Sequence, residues 1–240
     1  MSKQFLFYQN VVPVSVQRHA NWSVQRSDDY RFAEGVNSVP LTAVEIPHAA
    51  REYTVVFQGQ GVPTPVALLG IEKGQNIYLG DDGGWAARYL PAFIRRYPFL
   101  FALSQDGKTL TLCVDESFSG CNQEGRGDAF FDEKGERTPY LTSVLEFLQD
   151  YQSQFGRTEL YCKKLQDLGL LEAMEAKFSV GQDEERTLSG FHAIKRDRLK
   201  ALSGDKLADL AKTDELELSY AHLSSMNNFS GMLERVAAAR

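Results

Sequence analysis

Arginine and aromatic residues are concentrated in one short stretch of the chain, residues 83–101, with the sequence GGWAARYLPAFIRRYPFLF. Arginine guanidinium groups bind carboxylates and phosphates through pairs of parallel hydrogen bonds. Aromatic rings beside them offer flat apolar faces for the rest of a ligand. The stretch therefore predicts a ligand-binding set: Arg88, Arg95, Arg96, Trp85 and Tyr97.

A structural role for the arginines is the competing interpretation. Arg95 or Arg96 can pair with Asp115 or Glu116, which end a nearby predicted strand. Since these acidic groups are close in sequence and paired arginines often organise a fold, internal pairing is the favoured interpretation. The aromatic residues of the stretch are expected chiefly in the core.

Acid–base chemistry has only weak candidates in this sequence. Asp115 and Glu116 directly precede a glycine-rich loop, a common position for site residues. Adjacent residues on a strand point to opposite faces, so each acid needs a partner from elsewhere in the chain. His19 and His222 are possible partners, and these two histidines could bind a metal together with an acid such as Glu45 or Asp115. The histidines show no ligand spacing such as H-E-x-x-H, so no metal and no cofactor is predicted.

Composition and charge exclude several classes of protein. The 240 residues carry a net charge of -6, spread evenly between residues 1–140 and 141–240, so no basic surface for nucleic acid is expected. No apolar run reaches the roughly 18 residues that a membrane-spanning helix needs. The first residues do not resemble a signal peptide, and three irregularly spaced cysteines suggest reduced thiols. We therefore expect a cytoplasmic protein.

The N-terminal part of the sequence is typical of short strands. β-Branched and aromatic residues predict strands at residues 5–8, 11–16, 53–57, 65–71 and 76–79, and a helical turn is expected at residues 46–52. Residues 99–114 form a predicted hairpin with its turn at Asp106-Gly107. Pro91 and Pro98 limit the helix in the arginine stretch to residues 90–96.

Helices are predicted beyond the glycine-rich loop. Apolar residues recur at three- and four-residue intervals between Leu141 and Phe155, and a second helix opens with a Thr158 cap and closes at Gly169. Segments 172–180 and 186–194 predict a small hairpin, followed by short helices with Asp205 and Asn227 as caps.

These elements predict an α+β fold packed as one unit across residues 1–240. It has a β-rich part with short helices at residues 1–116 and a glycine-rich loop at residues 117–139, either an ordered surface loop or a flexible lid. A mainly helical part with the small hairpin follows at residues 140–240.

Several phrases of this sequence resemble the bacterial SapC family, whose members have about 250 residues. The most specific is YLPAFIRRYPF, within a longer match at residues 67–99. The other matching phrases lie at residues 37–57 (NSVPLTAVEIPHAAREYTVVF), 112–120 (LCVDESFSG), 188–202 (LSGFHAIKRDRLKAL) and 216–228 (LELSYAHLSSMNN).

The resemblance implies an accessory or binding protein that engages a peptide or protein partner connected with the cell-surface layer or peptide uptake. It carries over no catalytic residues. An enzyme that uses a metal or an organic cosubstrate, with Arg95 or Arg96 anchoring a carboxylate, is the first alternative. A structural component of the surface layer is the second.

Overall fold

The computed structural model describes residues 6–104, 108–179 and 185–238. Its strands are β1 (Val11–Pro13), β2 (Ser23–Val24), β3 (Ser38–Pro40), β4 (Val55–Gln58), β5 (Thr64–Leu68), β6 (Phe99–Leu103), β7 (Leu110–Asp115), β8 (Cys121–Asn122), β9 (Asp128–Ala129), β10 (Leu171–Ser179) and β11 (Glu185–Ile194). Its helices are α1 (Val16–His19), α2 (Ile46–Ala49), α3 (Ala92–Arg95), α4 (Pro139–Asp167), α5 (Arg196–Lys200), α6 (Gly204–Lys212), α7 (Glu215–Ser225) and α8 (Asn228–Ala238).

The architecture confirms the predicted α+β class. Most strands lie in the N-terminal half, and the long helix α4 and the C-terminal helices follow them. The strands form three sheets with the orders β1-β7-β6, β10-β11-β4-β5-β3 and β8-β2-β9, in which every pairing is antiparallel. The organisation of the chain as one unit stays a prediction.

The hairpin β10–β11 belongs to the five-stranded sheet. The expectation of a small hairpin at this place is confirmed in its strands, but β11 also pairs with β4 through His192 and Phe57. Strands from the N-terminal and C-terminal halves of the chain thus share one sheet. The turn of this hairpin and the Asp106-Gly107 turn of the β6–β7 hairpin lie outside the described residues.

Three predicted strands differ from the structure. Residues 6–8 of the first segment are not a strand, and Phe5 lies outside the described residues. The second strand ends at Pro13, because α1 begins only three residues later. Residues 76–79 form a turn with one isolated bridge between Leu79 and Trp85. Tyr78 is fully buried there, so its apolar character reflects the core rather than a strand.

Helix α4 replaces the two helices that the sequence predicts at residues 141–155 and 158–169. It is capped by Thr138, whose hydroxyl accepts a hydrogen bond from the Leu141 N–H, and it ends before Gly169, whose φ of +65° closes it as predicted. Thr158 lies inside the helix and is not a cap. Its hydroxyl instead accepts a hydrogen bond from the Ala43 N–H at 2.7 Å.

Two expected caps in the C-terminal part have different outcomes. Asp205 is wrong as a cap, because α6 begins at Gly204 and Ser203 occupies the capping position. Asn227 directly precedes α8, as predicted.

Helix α7 was not predicted, because its buried face is largely polar. Ser219, His222 and Ser225 are fully buried on it. Ser219 Oγ lies 3.0 Å from the Tyr161 hydroxyl, His222 Nε2 accepts from the Ile194 N–H at 3.0 Å, and Ser225 Oγ accepts from the Val55 N–H at 3.1 Å. These bonds attach α7 to a helix and two strands.

The glycine-rich loop at residues 117–139 contains the two short strands β8 and β9. Each of these strands has two residues, and they pair with opposite edges of β2. Asn122 holds the loop together, since its amide donates to the carbonyls of Ser23, Gly120 and Arg126 at 3.3, 3.0 and 2.9 Å. Its oxygen accepts from the Arg126 N–H at 3.0 Å.

Candidate functional site

The arginine-rich stretch has the short helix that its prolines predict. Helix α3 spans Ala92–Arg95, Pro91 occupies its N-cap position, and β6 begins directly after Pro98. Since the stretch changes from turn to helix to strand, its aromatic residues do not form one continuous ridge.

Arg96 is a core residue. It is only 5% exposed, and its guanidinium carbon lies 4.2 Å from the centre of the Phe93 ring, 5.2 Å from Tyr151 and 5.7 Å from Tyr8. Three aromatic faces stabilise a guanidinium through cation–π attraction and packing.

Arg95 is exposed and points to a different place. Its guanidinium carbon lies 5.4 Å from the centre of the Phe147 ring on α4. Across residues 6–104, 108–179 and 185–238, no carboxylate oxygen lies within 4.0 Å of the Arg95 guanidinium nitrogens.

The predicted pairing of Arg95 or Arg96 with Asp115 or Glu116 is wrong. Both acids satisfy their charge with other groups, and the pairing is not found between any of these four residues. The physical reason is that aromatic rings stabilise the two arginines, while backbone N–H groups donate to Asp115 and Arg18 pairs with Glu116.

A cavity of about 520 Å³, which we call the aromatic groove, lies beside Arg95. One wall is a face of α4, another is residues 94–99, and a third is residues 26–32. Its aromatic lining consists of Tyr30, Phe32, Tyr97, Phe99, Phe118, Tyr140 and Phe147. Arg95, Arg96 and Tyr97 of the predicted binding set therefore line a single groove.

Arg26 is a groove residue that the sequence reasoning missed. Its guanidinium carbon lies 5.4 Å from the centre of the Tyr140 ring, and its Nε donates to Asp128 at 3.1 Å. Arg26 is 114 residues from Tyr140 in the sequence. No local sequence pattern could therefore predict that the two side chains meet. Asp28 also lines the groove.

Arg88 and Trp85 do not reach the aromatic groove. They line a second cavity of about 590 Å³, together with residues 51–52, Tyr78 and the beginning of α8. The predicted five-residue binding set is thus divided between two cavities.

Tyr97 connects the aromatic groove to Asp115. Its ring stacks on Phe32 with the centroids 4.2 Å apart, and its hydroxyl lies 3.5 Å from an Asp115 carboxylate oxygen. Burial, reinforced by the Asp115 charge, raises the pKa of Tyr97 above its ordinary value, so the phenol stays protonated.

Asp115 is a buried structural acid. Its carboxylate accepts hydrogen bonds from the backbone N–H groups of Gln9, Asn10 and Ser117, at 2.8, 2.9 and 3.0 Å. These bonds satisfy a fully buried charge and hold the chain before β1 against the end of β7.

Glu116 forms a cluster with Arg18 and His19. The Arg18 guanidinium donates to both Glu116 oxygens, at 2.6 and 2.7 Å, and this pairing lowers the pKa of Glu116. His19 Nε2 lies 3.3 Å from Glu116 Oε1, but burial lowers the pKa of His19 more than the nearby carboxylate raises it. The cluster therefore brings three of the weak catalytic candidates, His19, Asp115 and Glu116, to one end of β7.

His222 lies elsewhere, in the core beneath α7. Burial lowers its pKa to about 4, against a smaller opposite effect from the Val55 backbone, so the imidazole is neutral near pH 7. Glu45 is also remote: its buried carboxylate accepts from the Thr42 N–H, the Ala92 N–H and the Tyr89 hydroxyl, at 2.7, 2.7 and 2.8 Å. The grouping of these two residues with His19 at a metal is not found.

Within the described part of the chain, no three His, Cys, Asp or Glu side chains are grouped so as to hold a metal ion, and no helix is long and apolar enough to cross a membrane. The three cysteines are free, and burial raises the pKa of Cys121 and Cys162 to about 12. Their thiols are therefore protonated.

Comparison with known proteins gives one match. No curated protein and no solved structure matches the chain. The SapC family model matches residues 14–232, which include β2–β11, the aromatic groove and the cluster at the end of β7, whereas β1 and Arg235 of the second cavity lie outside the matched range. The chain therefore belongs to the SapC family.

Proposed function

We propose that this chain is a binding protein that holds a peptide segment of a partner in the aromatic groove. The observation that carries the proposal is the position of Arg95, whose exposed guanidinium lies on Phe147 at the groove and has no carboxylate partner among the described residues. A guanidinium has five N–H donors, so one that packs beside a ring can still donate to a carboxylate.

The lining of the aromatic groove supports a peptide as the ligand. Its cavity of about 520 Å³ is within the usual range for ligand sites of roughly 300–1,000 Å³. Tyrosine, phenylalanine and arginine are the side chains enriched at the centres of protein interfaces. Several of the groove rings are held by neighbours, as Tyr97 is by Phe32, so little conformational entropy is lost on binding.

The charges select the kind of peptide. Arg95 lies beside Phe147 of α4, whereas Asp28 lies in the wall formed by residues 26–32, near Tyr30, whose pKa is raised by burial and by the Asp28 charge. A segment with an aromatic or aliphatic side chain in the groove and a carboxylate at Arg95 fits this arrangement. The carboxylate is supplied by an acidic side chain or by a chain terminus.

The family resemblance supports a partner connected with the cell-surface layer or peptide uptake. The three free cysteines support a cytoplasmic location, which cell fractionation tests.

The test is a selection from random peptides with free carboxyl termini on the purified protein, followed by fluorescence polarisation with synthetic peptides. We expect selected peptides to combine an apolar side chain with a carboxylate, and Arg95→Ala to weaken their binding about tenfold. Arg126→Ala is the matched control, because it removes the same charge from an exposed arginine outside the groove. Failure to select any peptide, or equal binding by both variants, would overturn the proposal.

A further inference from the structure

The second cavity, which we call the arginine pocket, has a chemistry of its own. It has a volume of about 590 Å³ and is lined by Arg51, Arg88, Arg235, Glu52, Tyr78 and Trp85, and by the first residues of α8. We propose that the arginine pocket binds a phosphate group, as inorganic phosphate or as a small phosphate monoester. This inference is independent of peptide binding in the aromatic groove.

The balance of charge carries the proposal. Three arginines and one acidic residue line the pocket, in a chain whose net charge is -6. In the described part of the chain, no carboxylate oxygen lies within 4.0 Å of the Arg51, Arg88 or Arg235 guanidinium nitrogens. Like charges that outnumber their internal counter-charges are stabilised by an anion with more than one negative charge, because such an anion can bond to several guanidiniums at once.

Glu52, the lining acid, is already engaged. One of its oxygens accepts hydrogen bonds from the backbone N–H groups of Arg88 and Tyr89, at 2.7 and 3.4 Å. These bonds fix the backbone that carries Arg88. They also stabilise the negative charge of Glu52 through backbone N–H groups of the pocket wall. With three arginines and one glutamate in its lining, the pocket has an excess of positive charge.

The walls are held in place before any ligand arrives. The Arg235 guanidinium carbon lies 4.9 Å from the centre of the Tyr78 ring, and its Nη1 donates to the Ala86 carbonyl at 3.3 Å. The Asn228 amide donates to the carbonyls of Ala50 and Tyr53, at 2.8 Å each, so the start of α8 is fixed to the segment that carries Arg51. A site with fixed donors loses less entropy on binding than a flexible one.

Trp85 gives the pocket a flat side. Its ring is stacked on Tyr78 with an interplanar angle of 18°, and its Nε1–H donates to the Tyr53 hydroxyl at 2.7 Å. A phosphate monoester of an aromatic alcohol can place its phosphate among the arginines and its ring beside Trp85. Phenyl phosphate should therefore bind more tightly than inorganic phosphate, and phenol should not bind.

The test is isothermal titration calorimetry with inorganic phosphate in a phosphate-free buffer of low ionic strength. We expect saturable binding by the wild-type chain and a Kd about tenfold higher for Arg88→Ala and for Arg235→Ala. Arg126→Ala removes the same charge elsewhere and should bind like the wild type. Arg95→Ala, in the aromatic groove, should also leave phosphate binding unchanged, which separates this inference from the proposed function.

Two outcomes overturn the inference: absence of saturable phosphate binding by the wild-type chain, or an equal loss in Arg126→Ala and Arg88→Ala. Should Arg235→Ala fail to fold, Arg51→Ala replaces it, because Arg51 is exposed. The two sources of phosphate are separated by phenyl phosphate. If phenyl phosphate binds more tightly than inorganic phosphate, and Trp85→Leu abolishes this difference, the pocket is a monoester site. Equal affinities for the two ligands identify a site for phosphate alone.

Discussion

The guanidinium carbon of Arg95 lies 5.4 Å from the centre of the Phe147 ring, although the two residues are more than fifty positions apart in the chain. The contact joins α3, in the β-rich part of the chain, to α4, which begins the helical part. It also places a positive charge at the aromatic groove instead of in an internal ion pair. Its neighbour Arg96 lies in the core, so two consecutive arginines have opposite environments.

The shape of the Arg95 side chain should matter as much as its charge. Arg95→Lys keeps the positive charge but replaces a planar group on Phe147 by a compact, strongly hydrated ammonium. We expect the affinity for a selected groove peptide to fall several-fold, less than in Arg95→Ala. Fluorescence polarisation measures it, with Arg157→Lys on the exposed side of α4 as control. Wild-type affinity in Arg95→Lys would show that charge alone is sufficient.

Glu45 should be essential for stability. Replacing it by alanine leaves the Thr42 N–H, the Ala92 N–H and the Tyr89 hydroxyl without their acceptor in a buried place. Each unsatisfied donor costs roughly 1–3 kcal/mol, so the free energy of unfolding should fall by about 3 kcal/mol or more. Urea unfolding followed by circular dichroism measures this.

Exposed Glu146 on α4 provides the control for Glu45. Glu146→Ala should change the free energy of unfolding by less than about 0.5 kcal/mol. Similar values for the two variants would contradict the structural role of Glu45.

His222 should make stability depend on pH. Its pKa is about 4 in the folded chain and near 6.5 when unfolded, so the unfolded state binds a proton more readily between these values. Stability should therefore fall as pH decreases from about 6.5 to 4, by about 3 kcal/mol from this group alone. Below pH 4 the contribution of His222 should level off.

The measurement compares the wild type with His222→Gln, whose side-chain oxygen can still accept from the Ile194 N–H. Urea unfolding at a series of pH values should give a shallower dependence for this variant. Other titrating groups contribute equally to both proteins, and exposed His48→Gln should behave like the wild type. Parallel curves for His222→Gln and wild type would refute the assignment.

Thr158 should act through its hydroxyl. Thr158→Val keeps the shape of the side chain but leaves the Ala43 N–H, bonded at 2.7 Å, without an acceptor. We expect a loss of about 1–3 kcal/mol in the free energy of unfolding. Thr158→Ser retains the hydroxyl and should lose less than the valine variant in the same urea titration. The reverse order would mean that packing of the methyl group dominates.

Regular patterns in the sequence predicted the elements that follow them. The β6–β7 hairpin has consecutive β-branched and aromatic residues, and the apolar spacing from Leu141 onward indicated α4. Pro91 and Pro98 limited α3 correctly. Thr158 misled because a threonine at a helix start and one bonded to another segment look alike in a sequence.

Long-range contacts explain most of the candidate site that was not predicted. The sequence identified Arg95, Arg96 and Tyr97, but Arg26 joins them only through folding. Whether an arginine meets rings or carboxylates depends on segments far away in the chain. Asp115 and Glu116 were close enough in sequence to suggest pairing with Arg95 or Arg96. In the structure, backbone N–H groups bind Asp115 and Arg18 binds Glu116.

The polar underside of α7 has a consequence for the end of the chain. A stripe of leucines tolerates sliding and rotation, whereas the hydrogen bonds that join Ser219, His222 and Ser225 to Tyr161, Ile194 and Val55 are directional. Rotation of α7 about its axis by one residue, about 100°, would break all of these hydrogen bonds. The helix therefore has one permitted rotation, its azimuth. Because α8 follows within a few residues, that azimuth also sets where Arg235 arrives. The buried serines and histidine thus fix the rotation of α7 about its own axis, which apolar contacts alone would leave free.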